Sequence, residues 1–246
     1  MFSAEFCRRE GIVSCEHRAD LPSKKNKVSL YRLQLAGGGE KHWVVKRFAA
    51  AERCKKEAEI LAVLASAGVA VPRLNFAAEN YLILEYIAGR TLLAWLEETE
   101  GIQEGELQTG CELVAGQFSD WLVSCYAALE QAYGEPLILW DVQLRNFLLG
   151  DRLYGLDFEE CKRGRPETDI GRLFAFILTY HPPFTAWKFG FVTALRASLA
   201  PRLPLSWQLV ADEADREFAR MQKRRPHFRL PGENGSLAAQ LRRLLY

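Results

Sequence analysis

Residues 137–160, LILWDVQLRNFLLGDRLYGLDFEE, constrain the fold more than any other stretch. Two short apolar runs, Phe147–Leu149 and Leu153–Leu156, flank the turn residues Gly150, Asp151 and Arg152, which predicts a tight hairpin. Asn146 stands just before the first strand and Asp157 just after the second, so antiparallel pairing sets them side by side at its open end. A neutral oxygen ligand beside a carboxylate suits a hard cation such as Mg2+. Asp141 lies in the loop leading into the hairpin, five residues before Asn146. Three polar groups thus converge between apolar segments, the form that a phosphoryl-transfer centre takes.

Strand signals dominate before this stretch. Gly11–Glu16 is a candidate strand, Val28–Leu35 alternates, and His42–Phe48 follows the turn Ala36–Glu40. Leu21–Lys27, LPSKKNK, is a polar, basic loop without glycine. Ser23, Asn26 and the charges of Lys24, Lys25 and Lys27 could meet phosphates there. Each lysine taken singly reads as a solvated hairpin tip. Ala50–Ala67 is helical, with Ile60, Leu61, Val63 and Leu64 on its apolar face, and Gly68 and Pro72 stop it. Short strands follow at Arg73–Ala77 and Tyr81–Glu85. The pattern breaks at Tyr86–Arg90, which predicts a boundary between residues 1–88 and 89–246.

Helical patterns take over from Thr91. Leu92–Glu98 and Glu106–Tyr133 are helices separated by a loop at Gly101–Gly105. After the hairpin, residues 161–168 read as a basic loop, and Asp169–Tyr180 as a strongly apolar helix with Thr168 as N-cap. Phe184–Leu199, Ser206–Met221 and Ser236–Leu245 are further helices. The basic stretch Arg220–Arg229 reads as a helix end salt-bridged to the acidic 212–217 stretch.

A chain of 246 residues with formal net charge +1 carries no global field to recruit nucleic acid or an anionic membrane. No apolar run reaches transmembrane length, and the first residues lack the apolar core of a signal peptide. The six cysteines are scattered without a CxxC pair, and the four histidines show no metal-ligand spacing. Free buried thiols in a reducing compartment are expected, so a cytoplasmic protein is expected.

Taken singly, Lys46, Glu57, Asp141, Asn146 and Asp157 each read as ordinary surface or turn residues. Their order is more informative. A strand lysine (Val44-Val45-Lys46), a glutamate in the next helix (Lys56-Glu57-Ala58-Glu59), a D-x-x-x-x-N loop (Asp141 to Asn146) and a post-hairpin Asp157-Phe158-Glu159 resemble the protein-kinase-like superfamily. EAEILAVLASAGVAVPRL and GLDFEE resemble its aminoglycoside phosphotransferase and choline kinase branch. The resemblance spans roughly residues 10–180 and implies an α+β, bilobal fold, with an antiparallel sheet and one helix in the N-terminal lobe and a mostly helical C-terminal lobe. It implies ATP and Mg2+ as cofactors and a small-molecule hydroxyl acceptor as partner. Lys46 would contact the α- and β-phosphates and pair with Glu57, with Glu59 as the competing partner. Asp157 and Asn146 would hold metal, and Asp141 would orient the acceptor proton. The main chain of Glu85, Tyr86 and Ile87 would receive the adenine, and Asp169 would brace the catalytic loop.

Three departures stand beside these matches. Leu139 occupies the place of the family's usual histidine, the phosphate loop has no glycine, and Gln143 replaces the usual lysine or histidine. They leave open a nucleotide-binding pseudokinase or regulatory module, and a small atypical protein kinase remains a third reading.

Overall fold

The computed structural model describes residues 4–100, 104–225 and 227. The predicted helix Ser236–Leu245 and part of the basic stretch 220–229 lie outside the described residues. The architecture is α+β. A short helix α1 (Ala4–Arg9) precedes strands β1 (Ile12–Leu21), β2 (Lys27–Leu35) and β3 (Glu40–Arg47). Helix α2 (Ala51–Ser66) leads to β4 (Leu74–Ala77) and β5 (Tyr81–Glu85), and the five strands form one antiparallel sheet in the order β1-β2-β3-β5-β4.

Alternation along β3 divides the sheet's two faces. Trp43 and Val45 join Phe6, Tyr31, Leu33 and Ile83 in a small core on one side. Val44 and Lys46 point the other way and pair in register with Leu84 and Leu82, on the face that packs against α2. On α2, Cys54, Glu57, Ile60, Leu61 and Leu64 are the buried residues. Their 3-4 spacing puts Glu57 inside the apolar stripe and so beneath Lys46.

The remainder is mainly helical. After a two-residue strand β6 (Arg90–Thr91) come α3 (Leu92–Thr99) and the long α4 (Glu104–Tyr133). The short strand β7 (Leu137–Ile138) and a 3-10 turn at Leu144–Asn146 precede the hairpin β8 (Phe147–Leu149) and β9 (Leu153–Gly155). Strand β10 (Lys162–Arg163) pairs with β7, and α5 (Pro166–Thr179), α6 (Ala186–Leu199) and α7 (Trp207–Arg224) follow. One hydrophobic core runs without a break from Phe48, Ile60 and Leu64 through Phe118, Phe147, Phe158 and Phe174 to Phe218 and Met221. Gly89 lies where this core meets the sheet segment. A Cβ there would stand 2.3 Å from the Leu149 carbonyl oxygen, so residues 86–90 are pressed against the hairpin tip. Among the described residues no helix is long and apolar enough to cross a membrane.

Several boundaries differ from the sequence reading. Strand β1 continues to Leu21, and α1 adds a second helix before residue 88 where one was expected. Helix α4 starts at Glu104, inside the expected loop. Helix α5 starts at Pro166, and its N-cap is Arg165, not Thr168. Proline at the first helical position presets φ and gives up an amide that the helix would leave unpaired, so the helix takes over part of the expected 161–168 loop. The cysteines are free, but only Cys54, Cys125 and Cys161 are buried; Cys15 is exposed.

Candidate functional site

Lys46 is the hub. Its Nζ donates to Glu57 Oε2 at 2.6 Å and to Asp157 Oδ1 at 2.8 Å. Lys46 is only 6% exposed and Glu57 1%. Burial alone would lower the Lys46 ammonium, but the charges of Glu57 and Asp157 outweigh it and hold it above its usual range. The same burial pushes the Glu57 carboxyl up to about 7, against the pull of Lys46. The competing glutamate, Glu59, is exposed and lies 3.9 Å from Lys55 instead.

Asp157 follows the hairpin with φ +62°, a left-handed conformation uncommon for a residue with a side chain. The hairpin register is Phe147 with Gly155, Leu148 with Tyr154 and Leu149 with Leu153, and Leu156 N donates to Asn146 O at 2.8 Å. The open end therefore carries Asn146 opposite Leu156, with Asp157 next in the chain. Asn146 is buried, and its Nδ2 donates to the Asp141 carbonyl at 2.8 Å. The amide nitrogen is thus used inside the loop, which leaves the Oδ1 as the atom able to ligate a cation. Asp141 is half-buried; its Oδ1 accepts from Gln143 Nε2 at 2.6 Å, and Arg145 stands 3.9 Å from its Oδ2.

The loop is held from behind by Asp169 at the start of α5. Its two carboxylate oxygens accept the main-chain amides of Leu139 and Trp140 at 2.7 and 2.9 Å and the Tyr126 hydroxyl at 3.1 Å. Asp169 is fully buried, and burial pushes its carboxyl up to about 6 even though these donors oppose the rise. Arg172 Nε donates to the Trp140 carbonyl at 3.0 Å, and Leu144 N donates to the Tyr180 hydroxyl at 3.1 Å. Trp140 is left-handed at φ +66° and is clamped at both its amide and its carbonyl. Leu139, in the position where a histidine brace was expected, is simply buried.

The basic loop between β1 and β2 is not a free tip. Asn26 N donates to Ser23 Oγ at 3.2 Å, and Asn26 Nδ2 donates to Glu159 Oε2 at 2.8 Å. Lys25 pairs with Glu160 at 2.5 Å, and Arg53 reaches Glu159 at 3.2 Å and Glu160 at 2.8 Å. This clasp ties the loop and the start of α2 to the residues following Asp157. In the sequence reading Glu159 stood only in the Asp157-Phe158-Glu159 motif, with no role in the site, and Arg53 had none. Glu57, Asp157 and Glu159 each put a carboxylate oxygen within 4.8 Å of the others. No spacing rule signals Glu159, because β9 ends at Gly155 and Asp157 is left-handed, so the alternation of a strand does not run through to it.

Of the predicted residues, Lys46, Glu57 and Asp157 are in direct contact, Asp141 and Asn146 are bonded to each other, and Ser23 and Asn26 join the set through Glu159. Glu85, Tyr86 and Ile87 end the sheet. Glu85 N donates to Arg73 O at 2.9 Å, Tyr86 is exposed beside His42, and Ile87 packs on the main core. No protein-family model matches the chain, and no curated protein matches it.

Proposed function

We propose that this chain is a two-lobed, ATP- and Mg2+-dependent phosphotransferase acting on a hydroxyl acceptor, with residues 1–88 as the nucleotide-binding lobe and 89–246 as the lobe of the catalytic loop. The observation that carries the reading is the buried Lys46, which joins Glu57 on α2 to Asp157 beyond the hairpin. Burying an ammonium among carboxylates carries a desolvation cost that pairing repays only in part, which makes such a cluster a candidate functional position. The donors available to a cation, the carboxylate of Asp157 and the amide oxygen of Asn146, are all hard oxygens, which fits Mg2+ better than a thiol- or imidazole-seeking metal. When bound, the metal and nucleotide supply charge neutralisation and the phosphoryl group.

The chain's own residues would then divide the work. Lys46 offers positive charge to the phosphates, and Glu57 keeps its ammonium in place. Asp141, oriented by Gln143, takes up or orients the proton of the acceptor hydroxyl. Asn146 ties the Asp141 main chain to the hairpin, and Asp169 fixes the turn before it. In a loose transition state such positioning matters more than basicity. The main chain of Glu85–Ile87 would line the adenine side.

The test is turnover and binding together. Asp141→Asn is expected to lower ATP-dependent phosphorylation roughly 10^2–10^4-fold while leaving nucleotide binding intact. Asp157→Asn is expected to abolish the Mg2+-dependent part of thermal stabilisation by ATP. Wild-type turnover in Asp141→Asn would sink the assignment of Asp141. A second reading, a nucleotide-holding module without turnover, is favoured by one observation: the polar groups of the 22–26 loop are already engaged by Glu159 and Glu160. Metal-dependent stabilisation by ATP with no phosphoryl transfer to any acceptor would favour it.

A further inference from the structure

Trp140 precedes Asp141, and three cationic groups lie against its indole. Lys162 Nζ is 3.0 Å from the ring centroid, Arg172 Cζ 3.9 Å and Arg220 Cζ 5.4 Å. Glu217, fully buried, is shared by Arg172 at 2.6 Å, Arg220 at 3.1 Å and Arg224 at 2.5 Å. Asp169, also close by, is engaged by Tyr126 and two main-chain amides, and Glu160, which acts on Lys162 from further off, is paired with Lys25 and Arg53. Lys162 forms no ion pair among the described residues. Three guanidiniums therefore share the one carboxylate of Glu217, and Lys162 adds a fourth cation whose nearby carboxylates are already engaged.

The imbalance is felt at Lys162. Its desolvation, followed by the charges of Arg172 and Arg220, pulls its ammonium below the usual range, while Glu160 and Asp169 oppose only in part. Positive charge also extends along the loop side of Asp141, where Arg145 stands near the carboxylate and Arg225 acts on the Tyr180 hydroxyl. Of the three cations at the indole, Arg172 is buried, Arg220 half-buried and Lys162 exposed, so the last two are the ones that solvent can reach.

We propose that Lys162 and Arg220, beside the indole of Trp140, form a docking site for a phosphate group carried by the acceptor, so that the hydroxyl met by Asp141 belongs to a phosphorylated small molecule. The site itself stands on the charge cluster; its assignment to the acceptor rests on the phosphotransferase reading. A phosphate suits a cluster in which three guanidiniums share one carboxylate and a lysine has no ion-pair partner among the described residues. Arg220 and Lys162 supply charge-assisted donors, and the indole gives a flat wall beside them. The charge of Asp141 acts on the Arg172 guanidinium that lies over the indole, so one small molecule can reach both.

The test uses the full chain, with thermal shift and calorimetric titration by inorganic phosphate against chloride at matched ionic strength. Phosphate is expected to stabilise wild type, and its affinity to fall about tenfold or more in Lys162→Gln/Arg220→Gln, the loss expected from removing charge-assisted hydrogen bonds. Single Lys162→Gln, which leaves the Arg220–Glu217 pair whole, should show a smaller loss in the same direction. No phosphate-specific shift in wild type, or one that both variants retain, overturns the site.

Two further arms separate the sources of the anion and the two readings. Glycerol 3-phosphate and glucose 6-phosphate are titrated beside inorganic phosphate. Tighter binding of either, with the advantage removed by Asp141→Asn, assigns the anion to the acceptor. Equal affinity in both proteins overturns that assignment and leaves a site for free phosphate. ATP with Mg2+ is titrated separately: no binding there, with the phosphate result intact, means that the phosphotransferase reading fails while the anion site stands.

Discussion

Two charge clusters flank the loop that carries Trp140 and Asp141, and they are inverses of one another. Around Lys46, one buried ammonium is shared by Glu57 and Asp157, with Glu159 close behind. Around Glu217, one buried carboxylate is shared by Arg172, Arg220 and Arg224. In each, a lone buried counter-ion holds several opposite charges together. On the proposed reading the sign of the excess would decide what each accepts, a cation at the first and an anion at the second. They differ also in what happens when the counter-ion is lost. A carboxylate can neutralise itself by taking a proton, whereas a guanidinium cannot give one up in a protein.

That difference yields the largest expected effect on stability. Glu217→Gln leaves Arg172 buried and without its full partner, and should cost about 3–5 kcal/mol, the range for breaking one side of a buried pair. Lys46→Met breaks the inverse cluster but should cost less, because the Glu57 carboxyl, already pushed up to about 7, can be protonated in response. Chemical denaturation of both variants at pH 7 gives the two values. Equal losses would mean that the clusters do not differ in this way.

A pH titration sharpens the same contrast. Glu57 and Asp169 are raised to about 7 and about 6, from ordinary values of 4.5 and 3.8. Both bind protons more tightly folded than unfolded. Their contribution is complete below the unfolded values and is lost as pH rises through the folded ones. With divalent metal removed, these two groups should therefore lower Tm between about pH 4.5 and 7, and Glu57→Gln should flatten the upper part of that fall. The guanidiniums of the arginine cluster stay charged throughout that range. A Tm–pH profile unchanged by Glu57→Gln would remove the assignment.

Much of the Lys46 cluster was legible in the sequence, and little of the other was. The hairpin announced itself through two apolar runs and a Gly-Asp turn, but its register differs by one residue from the expected one: β9 ends at Gly155, and Asn146 stands opposite Leu156, not Asp157. Glu57 was favoured over Glu59 by the resemblance, and the structure supplies the reason: Glu57 falls in line with the buried Ile60, Leu61 and Leu64, whereas Glu59 lines up with Val63, which is only partly buried. The clasp was not legible, since Lys25 and Asn26 find Glu160 and Glu159 more than a hundred residues away, and no local pattern encodes that meeting. The Trp140 cluster was hidden for the same reason. Lys162 on β10, Arg172 on α5 and Arg220 on α7 come together only through the β7–β10 pairing and the packing of α5 on α7. In sequence, Arg220 looked like one more residue of a surface helix end.

The smallest expected effect lies in the clasp that borders the first cluster. Lys25 and Arg53 are largely exposed at their side chains, whereas Glu159 is buried. Exposed ion pairs are screened by solvent and contribute about 0–1 kcal/mol. Lys25→Ala should therefore change stability by no more than that, and Arg53→Ala by slightly more, because Arg53 bridges both glutamates. Asn26→Ala should cost more than Lys25→Ala, although asparagine carries no charge, since it leaves an oxygen of buried Glu159 without its donor. Denaturation of the three variants gives the order. If Lys25→Ala proves the most costly, the clasp is held by its surface charges and not by the buried amide–carboxylate bond, and the acid-rich cluster reaches further toward solvent than its burial indicates.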